Sequence, residues 1–444
     1  MVSRVFTVSP PFMGAALVLA VLFVLGIIAF IVKAGGGFDD RSEWGYYIAT
    51  CSFLITVFGS APVVAIAFRI TKNHFRRAAS RASEMFALVG VLSTLMFIPL
   101  IALLPSFEGR RSIWFEVPLH GSLPAYSDFS SVIVLVVCGL AILYISALPD
   151  MAAVSERGAG GLRGLLYTPL VKHWRGTERQ WAIHKGLLAI LGALYFMMLI
   201  FVHMLVSADF SLALVPGWID AIMPAHHALA GLQSGLALVV VTAFVLRTWC
   251  GYKEYIGRDF FWSCSKLLLA MSLLWGYFWF AEFNTFWYGR KPEEQENVKF
   301  LMVQTYALPF YLNMFGNFLI PFGMLIWNHV RRCVIGPTIA ACFILLGTLF
   351  MMIRFYVPPS SIKDLGVHSI VEIRESHPEQ LAAIWPGGLD VLLVLGGISG
   401  AQLIFMLGSR LLPVLSVWEI KEGLLYQVMR PLIRGRYLVV GKPE

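Results

Sequence analysis

Long apolar runs recur along the chain, and short polar stretches separate them. A helix needs roughly 20 apolar residues to cross a bilayer core. Ten runs of that order are present, near 10–33, 45–69, 82–104, 126–148, 184–207, 221–247, 261–286, 304–329, 335–357 and 388–412. The fourth is weak because it opens on Tyr126-Ser127-Asp128, and the eighth because it holds Asn313, Asn317 and Pro321. Arg4 precedes the first run and small residues follow it, as in a signal peptide. Its apolar core exceeds the roughly 7–15 residues of such a signal, so it reads as a retained span.

Composition agrees with this pattern. The 444 residues are 58% hydrophobic and 14% charged, with a mean hydropathy of +0.75. Soluble domains carry about 25% charged residues. The chain therefore reads as an all-α integral membrane protein of ten transmembrane helices.

The net charge of +8 invites a nucleic-acid partner, but its distribution speaks against one. The basic residues sort by side. One set of loops, with both termini, carries 23 of the 34 Lys and Arg, among them Arg69, Arg76, Arg77, Arg81, Arg163, Arg331 and Arg332. The opposite set carries 10, including Lys33, Arg41, Arg290 and Arg354, and acidic residues largely offset them. The positive-inside rule puts the first set, and both termini, in the cytoplasm. The six cysteines form no CxxC pair, and Cys51, Cys138, Cys264 and Cys342 lie within spans. That argues against a disulfide framework, a zinc site or an iron–sulfur cluster in this chain.

Ionisable residues in spans usually serve function. Here they gather at the outer end: Asp128 in span four, His203 and Asp209 in span five, His226 and His227 at the start of span six, and Glu282 with Asn284 in span seven. His203 and Ser207 are i and i+4 and share a helix face, whereas Asp209 is six residues on. His227 points away from His226 and reads as the idle member of the pair. Gly231 and Gly235, and likewise Gly396 and Gly400, form small-xxx-small pairs that let helices approach closely. In the loop 358–387, Ser376 and Glu379 match a capping box with Pro378 in the first turn, which predicts a short surface helix.

Three chemistries could use the polar cluster. A quinol site needs a histidine to hydrogen-bond a ring oxygen and a carboxylate to take its proton. A haem b needs two facing axial histidines, for which His203 and His226 qualify. A transporter needs broken helices and a midplane site, but here the charges crowd one side and the midplane reads as largely apolar.

The stretch HMLVSADFSLALVPGWIDAIMPAHHALAGLQSGLALV resembles the central segment of the NrfD-like family, which includes the membrane subunit of polysulfide reductase. His203, Ser207, Asp209, Phe210, Pro216, Gly217, Trp218, Pro224, Ser234 and Gly235 carry the likeness. FAEFNTFWYGRKPEE at 280–294 and SRLLPVLSVWEIKEG at 409–423 agree with it. Ten spans, ALPDMAAV at 147–154 and Asp128 are similar to the large membrane subunits of bacterial alternative complex III.

The resemblance implies two four-helix bundles, spans two to five and six to nine, with the first and last spans peripheral. The corresponding divisions are 1–44, 45–207, 208–357 and 358–444. It implies a bacterial inner-membrane subunit of a quinol-oxidising complex that works with menaquinone or ubiquinone. Its partners would be a periplasmic iron–sulfur subunit, a multihaem cytochrome c and a second NrfD-like membrane subunit. The redox carriers would sit in those partners, with no haem or iron–sulfur cluster in this chain. In a quinol-oxidising copy, His203 would hold the quinol, Asp209 or Asp128 would take its proton, and His226, Glu282 and Ser207 would line a proton path.

One departure stands out. Quinol-oxidising members carry a His-Leu-Gly-Arg-Pro-like motif after the third span. Here that region reads IALLPSFEGRRSIWFEVPLHG, and His120 comes too late to match. The alternative is a sister copy that does not bind quinol and serves proton conduction or assembly.

Overall fold

The structure, a computed structural model, describes residues 10–104, 123–156, 161–363, 369–432 and 435–440. Ten described helices are long and apolar enough to cross a membrane. They are Pro10–Ala34, Arg41–Ile70, Ser80–Leu103, Tyr126–Ser155, Glu178–Leu214, Met223–Thr248, Arg258–Gly289, Ala307–Leu325, Ile335–Ser361 and Gly388–Leu411, here spans one to ten. The motif region after span three, with His120, lies outside the described residues.

Spans two, three, four and five close into one four-helix ring, and spans six, seven, eight and nine into a second. Span two also packs on spans six and nine, and span five on span six, so these four helices form the seam between the bundles. Span two is the central helix: 89% of its apolar window is buried, against 11% for span one. Spans one and ten pair with each other, and span ten leans on span two. Their contact point is the predicted glycine: a Cβ at Gly396 would stand 2.5 Å from the Gly26 Cα. The partly buried Lys33–Asp390 ion pair ties the same two helices together.

Gly231 and Gly235 explain the seam. A Cβ at Gly235 would lie 2.7 Å from the Ser60 carbonyl carbon and 2.8 Å from the Ala61 nitrogen, so span six rests directly on the span two backbone. Span two is loosened there by Pro62, which supplies no amide hydrogen. The Ser83 hydroxyl inserts into its ladder, donating to the Ala61 carbonyl at 2.6 Å and accepting from the Ala65 amide at 3.3 Å.

Span four runs to Ser155, past the predicted end at 148, and so takes Pro149 and Asp150 into the helix. Pro149 cannot bond the Ile145 carbonyl. His184 of span five takes that carbonyl instead at 2.9 Å, from within a cage of Trp174, Trp181 and Trp418 rings. Asp150 becomes the anchor of the C-terminal segment. It accepts the backbone amides of Val417 and Trp418 at 3.2 and 3.0 Å and pairs with Arg81 at 3.2 Å.

Arg69, Arg81, Glu84 and Glu419 extend this into a buried ion network that fixes the helix Val417–Leu425 beneath bundle one. The only strands among the described residues follow it, an antiparallel hairpin of Gln427–Leu432 and Gly435–Val440. The membrane part is wholly helical.

Two local expectations change. In the loop 358–387 a short helix, Ile370–Ser376, precedes a 3-10 turn at Pro378–Leu381. The capping box is not made, because the Ser376 hydroxyl turns back to the Glu372 carbonyl. Ser369 caps the helix instead. The midplane of bundle two is also not apolar. Gln233 donates to the Ser272 hydroxyl and to the Asn317 carbonyl, each at 2.9 Å, and the Asn317 amide reaches Thr348 at 3.1 Å. Span eight passes through a π turn at Phe315–Leu319. The wider turn leaves the Asn317 carbonyl open to Gln233, a local irregularity often found at functional positions.

Candidate functional site

All the ionisable residues singled out in the spans sit in one layer, at the end opposite the basic loops. His203 is six residues from the end of the span five helix at Asp209. His226 and His227 fall in the first turns of span six, which starts at Met223. Glu282 is seven residues from the end of span seven, and Tyr356 five from the end of span nine.

At the seam four side chains form a string. The Ser60 hydroxyl is 3.4 Å from His203 Nε2, His203 Nδ1 is 3.0 Å from His227 Nδ1, and His227 Nε2 is 2.8 Å from the Tyr356 hydroxyl. They come from spans two, five, six and nine. All four are buried. The Ser52 hydroxyl stands beside the phenol without a strict hydrogen bond. Ser52, Thr56 and Ser60, four residues apart, make a polar stripe on one face of span two.

Neutral imidazole has one donor and one acceptor nitrogen. Nδ1 facing Nδ1 therefore requires opposite tautomers in the two rings. Two arrangements satisfy every bond: all hydrogens directed from Ser60 toward Tyr356, or all directed back. The string can thus be polarised either way without carrying a charge.

One residue earlier on span six, His226 turns into bundle two. Its Nδ1 is 3.7 Å from Glu282 Oε2, and its ring meets Trp275 edge-on at 4.7 Å. Asp220, from the loop before span six, lies within hydrogen-bond reach of Glu282. Its Oδ1 accepts the amides of Ile222 at 2.9 Å and Met223 at 3.1 Å, which starts the helix. Arg354 of span nine carries the positive charge facing both carboxyl groups. Its guanidinium lies over the Phe355 and Phe310 rings, at 4.3 and 5.4 Å. All three guanidinium nitrogens, and both nitrogens of His226, are buried without a hydrogen bond. Burial, reinforced by the Glu282 charge and opposed by the two amides, pushes the Asp220 carboxyl up to about 7.

The remaining predicted site residues fall as follows. Asp128 and Asp209 are buried in bundle one. The ring contacts of His203 are with Ser60 of span two and His227 of span six. Ser207 is buried, but its hydroxyl turns back to the Met204 carbonyl at 3.1 Å and does not join His203. His227, read as idle, is the centre of the string. Span six stands between two bundles, so adjacent residues pointing about 100° apart both find partners.

His203 and His226 have different partners, Ser60 and His227 for the first and Glu282 and Trp275 for the second. Both nitrogens of His203 have a side-chain partner, Ser60 at Nε2 and His227 at Nδ1. A cavity inside bundle one, lined by Gly59, Ser93 and Tyr195 among others, has a volume of about 20 Å³. That is room for one water.

Sequence reading missed Ser60, His227, Tyr356, Asp220 and Arg354. For Arg354 the signal was available: an arginine three residues before the end of the apolar run 335–357. For the others the partner lies on another helix. No model of a known protein family matches the chain, and no curated protein is similar to it.

Proposed function

We propose that this chain is a membrane subunit of a quinol-linked electron-transfer complex of a bacterial inner membrane, of the alternative complex III type. We infer that it is the copy that moves protons, not the copy that oxidises quinol. The observation that carries this reading is the buried Ser60–His203–His227–Tyr356 string. A reversible string of neutral hydrogen bonds passes a proton by shifting each hydrogen one step, with little movement of heavy atoms. The occupied nitrogens of His203 favour this role over quinol binding. The basic loops then face the cytoplasm, and the histidine layer faces the side where an iron–sulfur subunit and a multihaem cytochrome c would dock. A second NrfD-like subunit would supply the quinol site.

The test uses the intact complex in vesicles. His227→Phe and Tyr356→Phe should leave electron transfer from quinol running while proton movement per electron falls. Loss of quinol turnover with unchanged proton movement per residual electron would refute the assignment and favour a quinol-oxidising copy. Purification without an iron–sulfur subunit or a c-type cytochrome would remove the complex itself from the reading.

A further inference from the structure

The acidic cluster in bundle two is separate from the string and has its own charge logic. Asp220, Glu282, His226 and Arg354 are all buried, and they approach from the loop before span six and from spans seven, six and nine. Two carboxyl groups in hydrogen-bond reach inside a protein cannot both be ionised without strong mutual repulsion. Asp220 Oδ1 accepts two backbone amides, whereas Asp220 Oδ2 and Glu282 Oε2 are buried with no donor bonded to them. A carboxylate only accepts, so a hydrogen bond between the two groups requires a proton on one of them.

The countercharge sets how many protons remain. Arg354 contributes one positive charge, and its guanidinium makes no hydrogen bond. With both carboxyl groups ionised the site would be net negative. With both protonated, Arg354 would be a buried, uncompensated cation. One shared proton makes the site neutral with His226 unprotonated. His226 Nδ1, at 3.7 Å from Glu282 Oε2, is too far for a direct bond and close enough for transfer through one water or a small rotation. In that transfer the Glu282 carboxyl gives its proton to His226, leaving a carboxylate and an imidazolium, and the reverse step restores the pair.

We propose that Asp220 and Glu282 share a single proton and act as a proton-storage site, with Arg354 as its fixed countercharge and His226 as its exchange partner. Its use in turnover rests on the proton-moving reading above, whereas its protonation does not.

Infrared spectra of the purified full-length chain, in water and in heavy water, test this directly. A protonated-carboxyl band is expected at neutral pH in the wild type. Glu282→Gln and Asp220→Asn should each remove that same band, because the carboxylate left beside Arg354 ionises. Arg354→Gln should enlarge it, as the pair takes a second proton. A band that survives in either carboxyl variant means an ordinary independent acid and overturns the proposal. So does a wild type with no band that either variant removes. If a variant does not fold, titration of the wild-type band decides: one-proton amplitude supports the pair, and amplitude for two protons refutes it. A shared band together with unchanged proton movement in His227→Phe would keep the storage site and discard the string as a relay.

Discussion

Gly231→Ala is the sharpest probe of the seam. The added Cβ would sit 2.7 Å from His203 Nε2, 2.9 Å from His203 Cε1 and 2.8 Å from the Ser60 hydroxyl. Ordinary contact distances begin near 3.5 Å, so the imidazole must retreat by about 0.8 Å. The His203–His227 bond is 3.0 Å long, and a shift of that size breaks either it or the Ser60 bond. A lost hydrogen bond costs about 0.5–1.5 kcal/mol, and a buried polar atom left unpaired about 1–3 kcal/mol. The expected destabilisation is therefore roughly 2–4 kcal/mol.

Gly186→Ala is the control, since nothing lies within 4 Å of its Cβ position on the exposed face of span five. It should be neutral or gain up to about 1 kcal/mol from helix propensity. Equilibrium unfolding in mixed detergent micelles measures both. If Gly231→Ala were as stable as Gly186→Ala, and the histidine ring resonances were unshifted, the close packing of span six on His203 would be wrong.

Three further outcomes are expected. Asp220 has its carboxyl raised from 3.8 to about 7. The folded state thus holds this proton to higher pH than the unfolded chain, and the stability it contributes is complete below about pH 4 and lost as pH rises through about 7, an effect of about 4 kcal/mol. Asp220→Asn should flatten the decline in unfolding free energy across that window, and an unchanged slope would refute the shift. Burial pushes Glu419 up, but the Arg69 and Arg76 charges outweigh it and hold the carboxyl below its usual range. Arg69→Ala removes the cation that Glu84 and Glu419 share, leaving Glu84 with Arg81 alone and Glu419 without its ion pair, at about 3–5 kcal/mol, and should expose the chain after Leu411 to limited proteolysis. Gly396→Val drives a side chain into the Gly26 backbone and should cost about 1–3 kcal/mol of stability, with spans two to nine unaffected in their proton movement.

Much of the architecture could be read from residue order. Ten runs of the right length, the basic asymmetry and the two glycine pairs follow from bilayer thickness and from the bulk of a Cβ, both of which act locally. The paired histidines, Glu282 and Asp128 were visible because a charge or imidazole in an apolar run is costly wherever it lands. What local pattern could not supply was direction. Helical spacing says that His226 and His227 diverge, but not that a bundle stands on each side to receive them. It says that His203 and Ser207 share a face, but not that Ser207 bonds its own helix while His203 reaches across the seam. Asp220 looked like a loop residue and Arg354 like an outer-end charge. Only the packing of spans six, seven and nine brings them together, because a buried charge is settled by what faces it from other helices.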